Sequence, residues 1–424
     1  MNTGLIKDKK FFTARVWMAI LAVSIAGSVA WQPPYFYSGF YDAFMEAFHM
    51  NHSQIGLYIA VYGWGNLLSY VPGGIIADYY GPRKLLLVSL FGTALITLAM
   101  AIWMTPFCAI LTSFLFSITT CLLLWSTLTK AVRVIGGSDH CATVYSLYSG
   151  ISGVIGFCFG MVQIWVFNLC HDNTSGIYWA LITLAASCFI AGVLVAFFYR
   201  DDPNELEHAE KEEKMNLRDV PKIAKNPILW ATSVLMALFL AAFGTISYFV
   251  PYLTSIVGLT VTQGAIFNSV ISYGVSFVVP IGGFLIDRYL KSTFKLFIIG
   301  LVLIMMMMFV ILYVPMGAAT AIVVCTLTYT VGAILSAAMW AILDEIHIPM
   351  KYAATGIGLA SMVAYAPDLF LYNIYGNWLD SMGEATGYRM MWFATIGICL
   401  VALVLSFILL KAIQKQPSAE TTVS

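Results

Sequence analysis

Charge is what this sequence has least of. Of its 424 residues only 42 carry one, 21 Lys and Arg plus 21 Asp and Glu, and the two signs cancel. A nucleic-acid partner needs a concentrated basic face, so this balance excludes one. Cysteine is sparse as well: the eight thiols show no metal-site spacing and mostly lie within apolar runs, where they behave as small apolar groups. No metal is expected. A nucleotide-binding loop is missing, which leaves no cofactor implied, and no nucleophile–base pair falls on one side of any apolar segment, so the chain does not read as an enzyme. The ten-residue alternating segments of a membrane β-barrel are absent too.

Apolar length is what the chain has in excess. Sixty per cent of residues are apolar and the mean hydropathy is +0.86, far from the average of soluble proteins. Windows of about twenty residues place membrane spans near 12–36, 53–76, 84–104, 107–129, 142–168, 177–199, 227–255, 263–286, 294–314, 318–342, 353–378 and 388–411. The fold class expected is an all-α membrane protein of twelve helices in two six-helix bundles related by pseudo-symmetry. Residues 1–199 form the first bundle, 200–226 an inner linker, and 227–424 the second bundle with a short tail. Basic residues test the count. With both ends inside, all the Lys and Arg except Arg389 fall on the inner side, as the positive-inside rule requires. A cleavable leader ending at Ser28-Val29-Ala30 would remove one span and scramble that distribution, so the first helix is read as retained.

The chain is also doubled. Gly73-Gly74-Ile75-Ile76-Ala77-Asp78 is answered 209 positions later by Gly282-Gly283-Phe284-Leu285-Ile286-Asp287, each closing an apolar segment. A doubled unit suits a transporter that places one site between two bodies. The linker mixes eight acids and six bases, with Glu207, Lys211, Lys214 and Arg218 at helical spacing, which suggests a helix along the inner surface.

Residues 74–84 read Gly74-x-x-x-Asp78-x-x-Gly81-x-Arg83-Lys84, and Gly283-x-x-x-Asp287-Arg288 repeats the pattern in part. This resembles the signature loop of the major facilitator superfamily, and the resemblance covers essentially the whole chain. It implies that Asp78 seats on the inner end of the eleventh helix, where unpaired N–H groups welcome a carboxylate. It implies too that helices one, four, seven and ten wall a central cavity, for which Gln32, Trp125, Thr245, Tyr248, Tyr329 and Trp340 are the lining candidates. Tyr79 and Pro82 stand where basic residues are common in that family. The stretches Leu128 to Arg133, Tyr365 to Phe370 and Gly376 to Asp380 look like a bacterial subgroup of inner-membrane permeases for sugar-derived and organic anions.

Asp368 is the sharpest single residue, about ten positions and so roughly 15 Å from the outer end of its helix. A charge there needs a cavity, a proton or a cation, and Asp368 is the candidate coupling group. Lys130 and Arg133 end the fourth helix while Asp344 and Glu345 end the tenth. They form either an inner-gate salt bridge or, at Lys130, a greeting for an anionic substrate. The fifth helix carries Gly150, Gly153, Gly156 and Gly160 but no central proline, unlike family drug/proton antiporters. The expected protein is a monomeric secondary transporter of the bacterial inner membrane, held in the lipid bilayer, moving a small polar and anionic solute with protons, or with sodium. Export of amphipathic compounds and transport-silent sensing are the alternatives.

Overall fold

In a run of twenty apolar residues the backbone N–H and C=O groups can bond only one another, and the helix is the local solution. The computed structural model describes residues 12–201, 225–275, 278, 284–346 and 353–414, and their regular structure is helical throughout. In chain order the elements are α1 (Ala14–Ser38), α2 (Tyr41–Ala47), α3 (His52–Tyr79), α4 (Pro82–Ile102), α5 (Pro106–Gly137), α6 (Thr143–Asn168) and α7 (Asn173–Phe198). There follow α8 (Pro227–Ser255), α9 (Val261–Ser269), α10 (Thr293–Tyr313), α11 (Ala318–Ala341), α12 (Ala353–Ala364), α13 (Leu371–Met382) and α14 (Glu384–Gln414). Among the described residues nine of these are long and apolar enough to cross a membrane. Of the other expected spans, α3 dilutes its apolar run with Gln54, Tyr58, Tyr62 and Asn66, α9 runs on as a π turn over Val270–Gly274 toward residues outside those described, and α12 and α13 are separated by a 3₁₀ turn.

Helix ends follow local chemistry more than hydropathy. α7 begins four residues before its apolar run because Asp172 caps it, accepting from the Ser175 N–H at 2.8 Å. That bond holds the Asp172 carboxyl below the usual carboxylate range. Thr260 and Gln263 form a reciprocal capping box at α9. α5 runs on through Lys130 and Arg133 until Gly137, whose φ of 57° turns the chain into α6. The linker helix expected over 200–226 lies almost wholly outside the described residues.

Four of the long helices carry an irregular turn. α1 yields after Trp31, where Pro33 and Pro34 remove two backbone donors, and α8 tightens to a 3₁₀ turn over Thr245–Tyr248. α5 widens to a π turn over Ile118–Trp125, and α11 ends in a 3₁₀ turn over Met339–Ala341. Such irregular turns re-aim the side chains they carry.

By contacts the chain divides into two units. The first holds α1, α2, α4 to α7 and α3 from Val61 onward; the second holds Asn51–Ala60 with α8 to α14. Unit one is cored by Ala19, Ile20, Val23, Leu90, Leu128 and Val195. Unit two is cored by aromatics, with Trp392 against Phe249 and Tyr252 and Phe239 against Phe297.

The first ten residues of α3's segment are fixed to unit two by hydrogen bonds. Asn51 and Gln54 cap each other, the Gln54 N–H donating to Asn51 Oδ1 at 2.9 Å and the Asn51 N–H to Gln54 Oε1 at 3.0 Å. That leaves the N–H groups of His52 and Ser53, and the carboxylate of Asp380 on α13 accepts both, at 3.1 and 2.8 Å. The Ser53 hydroxyl donates to the same carboxylate. Two glycines allow this approach: a Cβ on Gly56 would overlap the Tyr372 carbonyl, and one on Gly376 the His52 carbonyl. His52 Nε2 also lies 3.6 Å from Glu384.

Candidate functional site

In unit one the break in α1 presents Trp31 and Gln32 side by side. Trp31 meets Trp125, the last residue of the π turn in α5, edge to face with centroids 5.8 Å apart. Trp125 is half exposed. Gln32 is buried, and its Oε1 accepts from Gln163 Nε2 on α6 at 2.5 Å. Gln163 was not among the residues expected; a lone long polar side chain in an uncharged helix was the signal for it.

At the charged end of the same unit, Lys130 Nζ donates to the Ala77 carbonyl at 2.9 Å, near the end of α3. Arg83 reaches the carbonyl of Ala196 in the last turn of α7 at 2.5 Å, covering an acceptor that the helix end leaves free. The backbone N–H of Arg83 donates to Asp201 Oδ1 at 3.1 Å, so Asp201 caps the start of α4. Gly81 leaves room for this bond, since a Cβ there would meet the same carboxylate. The loop motif thus ties α3, α4 and α7 together through Gly81, Arg83 and a carboxylate that follows α7. Gly74 has open space beside it and Lys84 is exposed. The side chains of Asp78 and Asp287 lie outside the described residues, and Arg133 is exposed at the last turns of α5.

In unit two the 3₁₀ turn Ala366–Leu369 separates α12 from α13, and Asp368 sits on it beside Pro367, packed against α8. Its carboxylate makes no hydrogen bond or ion pair with any described residue. Aromatic residues surround the turn in sequence and space. Tyr365 faces Trp340 at 6.5 Å, while Tyr372 stacks against Tyr248 at 6.3 Å and accepts the Tyr248 hydroxyl at its carbonyl, 3.0 Å away. Tyr248 is almost wholly buried. Thr245 is joined to Thr395 at 2.9 Å, and Tyr329 leans on Phe243 at 5.9 Å. Of the expected residues, Trp340 and Tyr248 are therefore brought to the flanks of the Asp368 turn.

Glu345 has a definite task in this unit. It accepts from the Ser292 hydroxyl at 2.9 Å and from the Thr293 N–H, capping α10 as Asp201 caps α4. Asp344's side chain lies outside the described residues. Arg288 lines an open surface cavity of about 580 Å³ with Phe284, Tyr289 and Lys291. Among the described residues no group of His, Cys, Asp and Glu is placed to hold a metal.

With this geometry in view, comparison with known proteins places the chain. The family model described as Major Facilitator Superfamily matches residues 14–370. The chain is 26% identical over 423 residues to the inner membrane protein YqcE of Escherichia coli (strain K12), covering 97% of this chain and 98% of that one. In fold it is similar to a bacterial homologue of the human lysosomal transporter Spinster, in an inward-facing and unoccupied conformation, with a TM-score of 0.77 and 14% identity over 96% of this chain and 99% of that one. It is similar also to the nucleoside transporter NupG, with a TM-score of 0.73 and 13% identity over 96% of this chain and all of that one (100%).

Proposed function

The chain belongs to the major facilitator superfamily and is a multi-pass protein of the inner membrane, and we propose that it moves a small polar organic solute across that membrane, with protons, by alternating access. In this reading the polypeptide crosses twelve times, with both ends and the 200–226 linker on the inner side. Asp368 is the observation that carries the coupling. A carboxylate in a membrane span without a partner costs about 2.5–3.5 kcal/mol when ionised, even on a lenient scale. Binding a proton removes that cost, so the group takes up and releases one as its surroundings change. The 3₁₀ turn Ala366–Leu369, with Pro367 in it, interrupts regular helix at the level of Asp368.

Lys130 and Arg133, at the inner end of α5, are the cations that the anionic group of a solute would meet. Trp31 and Trp125, edge to face in unit one, are aromatic surfaces suited to its carbon skeleton. The test is uptake by purified protein in liposomes under an imposed proton gradient, using sugar acids and dicarboxylates as solutes, with Asp368→Asn alongside. Wild type should accumulate its solute against the solute's own concentration gradient, driven by protons moving down theirs. Asp368→Asn should still exchange labelled for unlabelled solute but lose accumulation. Full accumulation by Asp368→Asn would remove Asp368 from the coupling step, and a sodium gradient that replaces the proton gradient would reassign the ion.

A further inference from the structure

Where the π turn Ile286–Leu290 gives way to α10, the chain forms a cavity of about 580 Å³, open at the surface and lined by Phe284, Arg288, Tyr289 and Lys291. Its size falls in the range of about 300–1,000 Å³ that small-molecule sites occupy. The π turn explains the lining. Hydrogen bonds that skip five residues rather than four widen the coil, so Phe284 meets Tyr289, five positions on, edge to face with centroids 5.9 Å apart. Arg288 shares the lining one position earlier. The turn stops at Lys291, whose N–H returns to the Ile286 carbonyl at 2.8 Å and whose φ of 56° lies in the left-handed region, uncommon for a residue with a side chain. α10 then starts at Thr293 under the Glu345 cap, so the backbone on both sides of the cavity is held in place.

Charge at this turn is unbalanced. From 284 to 295 the sequence has three cations, Arg288, Lys291 and Lys295, against one acid, Asp287. Lys295 donates to the Leu290 carbonyl at 3.2 Å, and Glu345 is engaged with Ser292 and Thr293. The guanidinium of Arg288 is exposed and makes no hydrogen bond or ion pair with any described residue. Its planar fork of donors matches a phosphate group. Beside it Phe284 and Tyr289 are 55% and 66% exposed, a ring pair of the kind that settles where hydrocarbon meets headgroups. The matching turn of unit one lacks these cations. Across the 209-residue repeat Arg288 corresponds to Tyr79 and Lys291 to Pro82, and the nearby Arg83 is spent on the Ala196 carbonyl. The repeated turn therefore does not itself require Arg288 and Lys291.

We propose that this cavity binds an acidic phospholipid of the inner leaflet, with Arg288 and Lys291 on its phosphodiester and the Phe284–Tyr289 pair against its glycerol and upper acyl chain. A free phosphate would gain nothing from the rings, and a zwitterionic headgroup would bring an ammonium against two cations. The assignment uses the inner placement of this turn and no property of the transported solute, so it stands or falls apart from the coupling given to Asp368.

The test is native mass spectrometry of the delipidated full-length protein in nonionic detergent. It is titrated with phosphatidylglycerol, with phosphatidylethanolamine of the same acyl chains, and with glycerol 3-phosphate as the soluble anion. The variants are Arg288→Gln, Arg288→Gln with Lys291→Gln, and Lys84→Gln, which removes an exposed charge from the matching turn of unit one. Wild type should hold phosphatidylglycerol more tightly than phosphatidylethanolamine, and glycerol 3-phosphate should neither bind nor compete. A basic residue near an acidic lipid surface contributes about fivefold, so Arg288→Gln should weaken phosphatidylglycerol binding about fivefold and the double change about twenty-five-fold. Lys84→Gln should bind as wild type does. The lipid-free melting temperature of Arg288→Gln should equal that of wild type, because no bond is lost. Equal retention of the two lipids by wild type, undiminished phosphatidylglycerol binding in the double variant, or an equal loss in Lys84→Gln would overturn the assignment. Displacement of the lipid by glycerol 3-phosphate would overturn it too, in favour of a site for soluble phosphate esters. A lowered lipid-free melting temperature in Arg288→Gln would mean that the side chain serves the fold instead.

Discussion

Removing the Asp380 carboxylate should loosen one short stretch of α3 and little else. In the intact protein it accepts from two backbone N–H groups and one hydroxyl at the start of that helix, while the third free N–H is served by Asn51. Asp380→Ala strips two of the three from their partner at once. Loss of a capping side chain costs about 0.5–2 kcal/mol and each bond to a charged acceptor about 1.5–3 kcal/mol, with water recovering much of it at an exposed position. A net loss of about 2 kcal/mol is expected, which multiplies local opening roughly thirtyfold. Asp380→Asn keeps an acceptor and loses the charge that favours a helix N-terminus, so about 0.3–1 kcal/mol, or roughly two- to fivefold, is expected. Hydrogen exchange read by mass spectrometry measures both. The peptide over 51–60 should exchange about thirtyfold faster in Asp380→Ala and a few-fold faster in Asp380→Asn, with α7 unchanged. Equal exchange over 51–60 in wild type and Asp380→Ala would refute the capping account, and uniform acceleration along the chain would mean that the side chain supports the whole unit instead.

Two further outcomes follow from caps in unit one. Gly81→Ala should cost about 1–3 kcal/mol, the range for overpacking, and most of that loss should vanish in an Asp201→Ala background. Thermal unfolding of the four proteins in the cycle gives the coupling, and additive losses would show that Gly81 and Asp201 do not meet. Asp172 has a lowered carboxyl pKa, so its cap contributes fully above the ordinary carboxylate value of about 3.9 and is lost as pH falls through the lower folded value. Exchange at the Ser175 amide, corrected for intrinsic rates, should therefore lose protection only on the acid side, and Asp172→Asn should flatten that profile.

Much of the architecture was legible because the membrane imposes it: helical runs of about twenty residues and a loop motif shared with the family each report a strong physical constraint. The breaks were less legible. Pro33, Pro34 and Pro367 mark two of them, but the π turn ending at Trp125 and the 3₁₀ turn at Thr245 contain no proline to announce them. Partners were the hardest to foresee. Lys130 and Arg133 were weighed against Asp344 and Glu345 as an inner-gate pairing; within its own unit Lys130 also donates to the Ala77 carbonyl and Glu345 accepts at the start of α10, contacts that the sequence did not announce. Backbone groups at helix ends are invisible in composition and compete well for nearby charges. Asp201 and Asp380 were overlooked for the same reason, each being an unremarkable acid just beyond or within a span until the helix terminus it serves is located.

The boundary between the two units runs through α3, between Ala60 and Val61, and not only through the linker. This bears on how the protein can be taken apart. Cutting at 200–226 would yield one fragment that carries residues 51–60 and another that carries the unit holding them, and neither would be self-sufficient. The first would carry a helix start without its acceptor, and the second an acceptor without its helix. Co-expressed fragments should therefore recover each other, whereas either alone should be prone to degradation, and the dependence should trace to ten residues, 51–60, that one half encodes and the other half keeps in place.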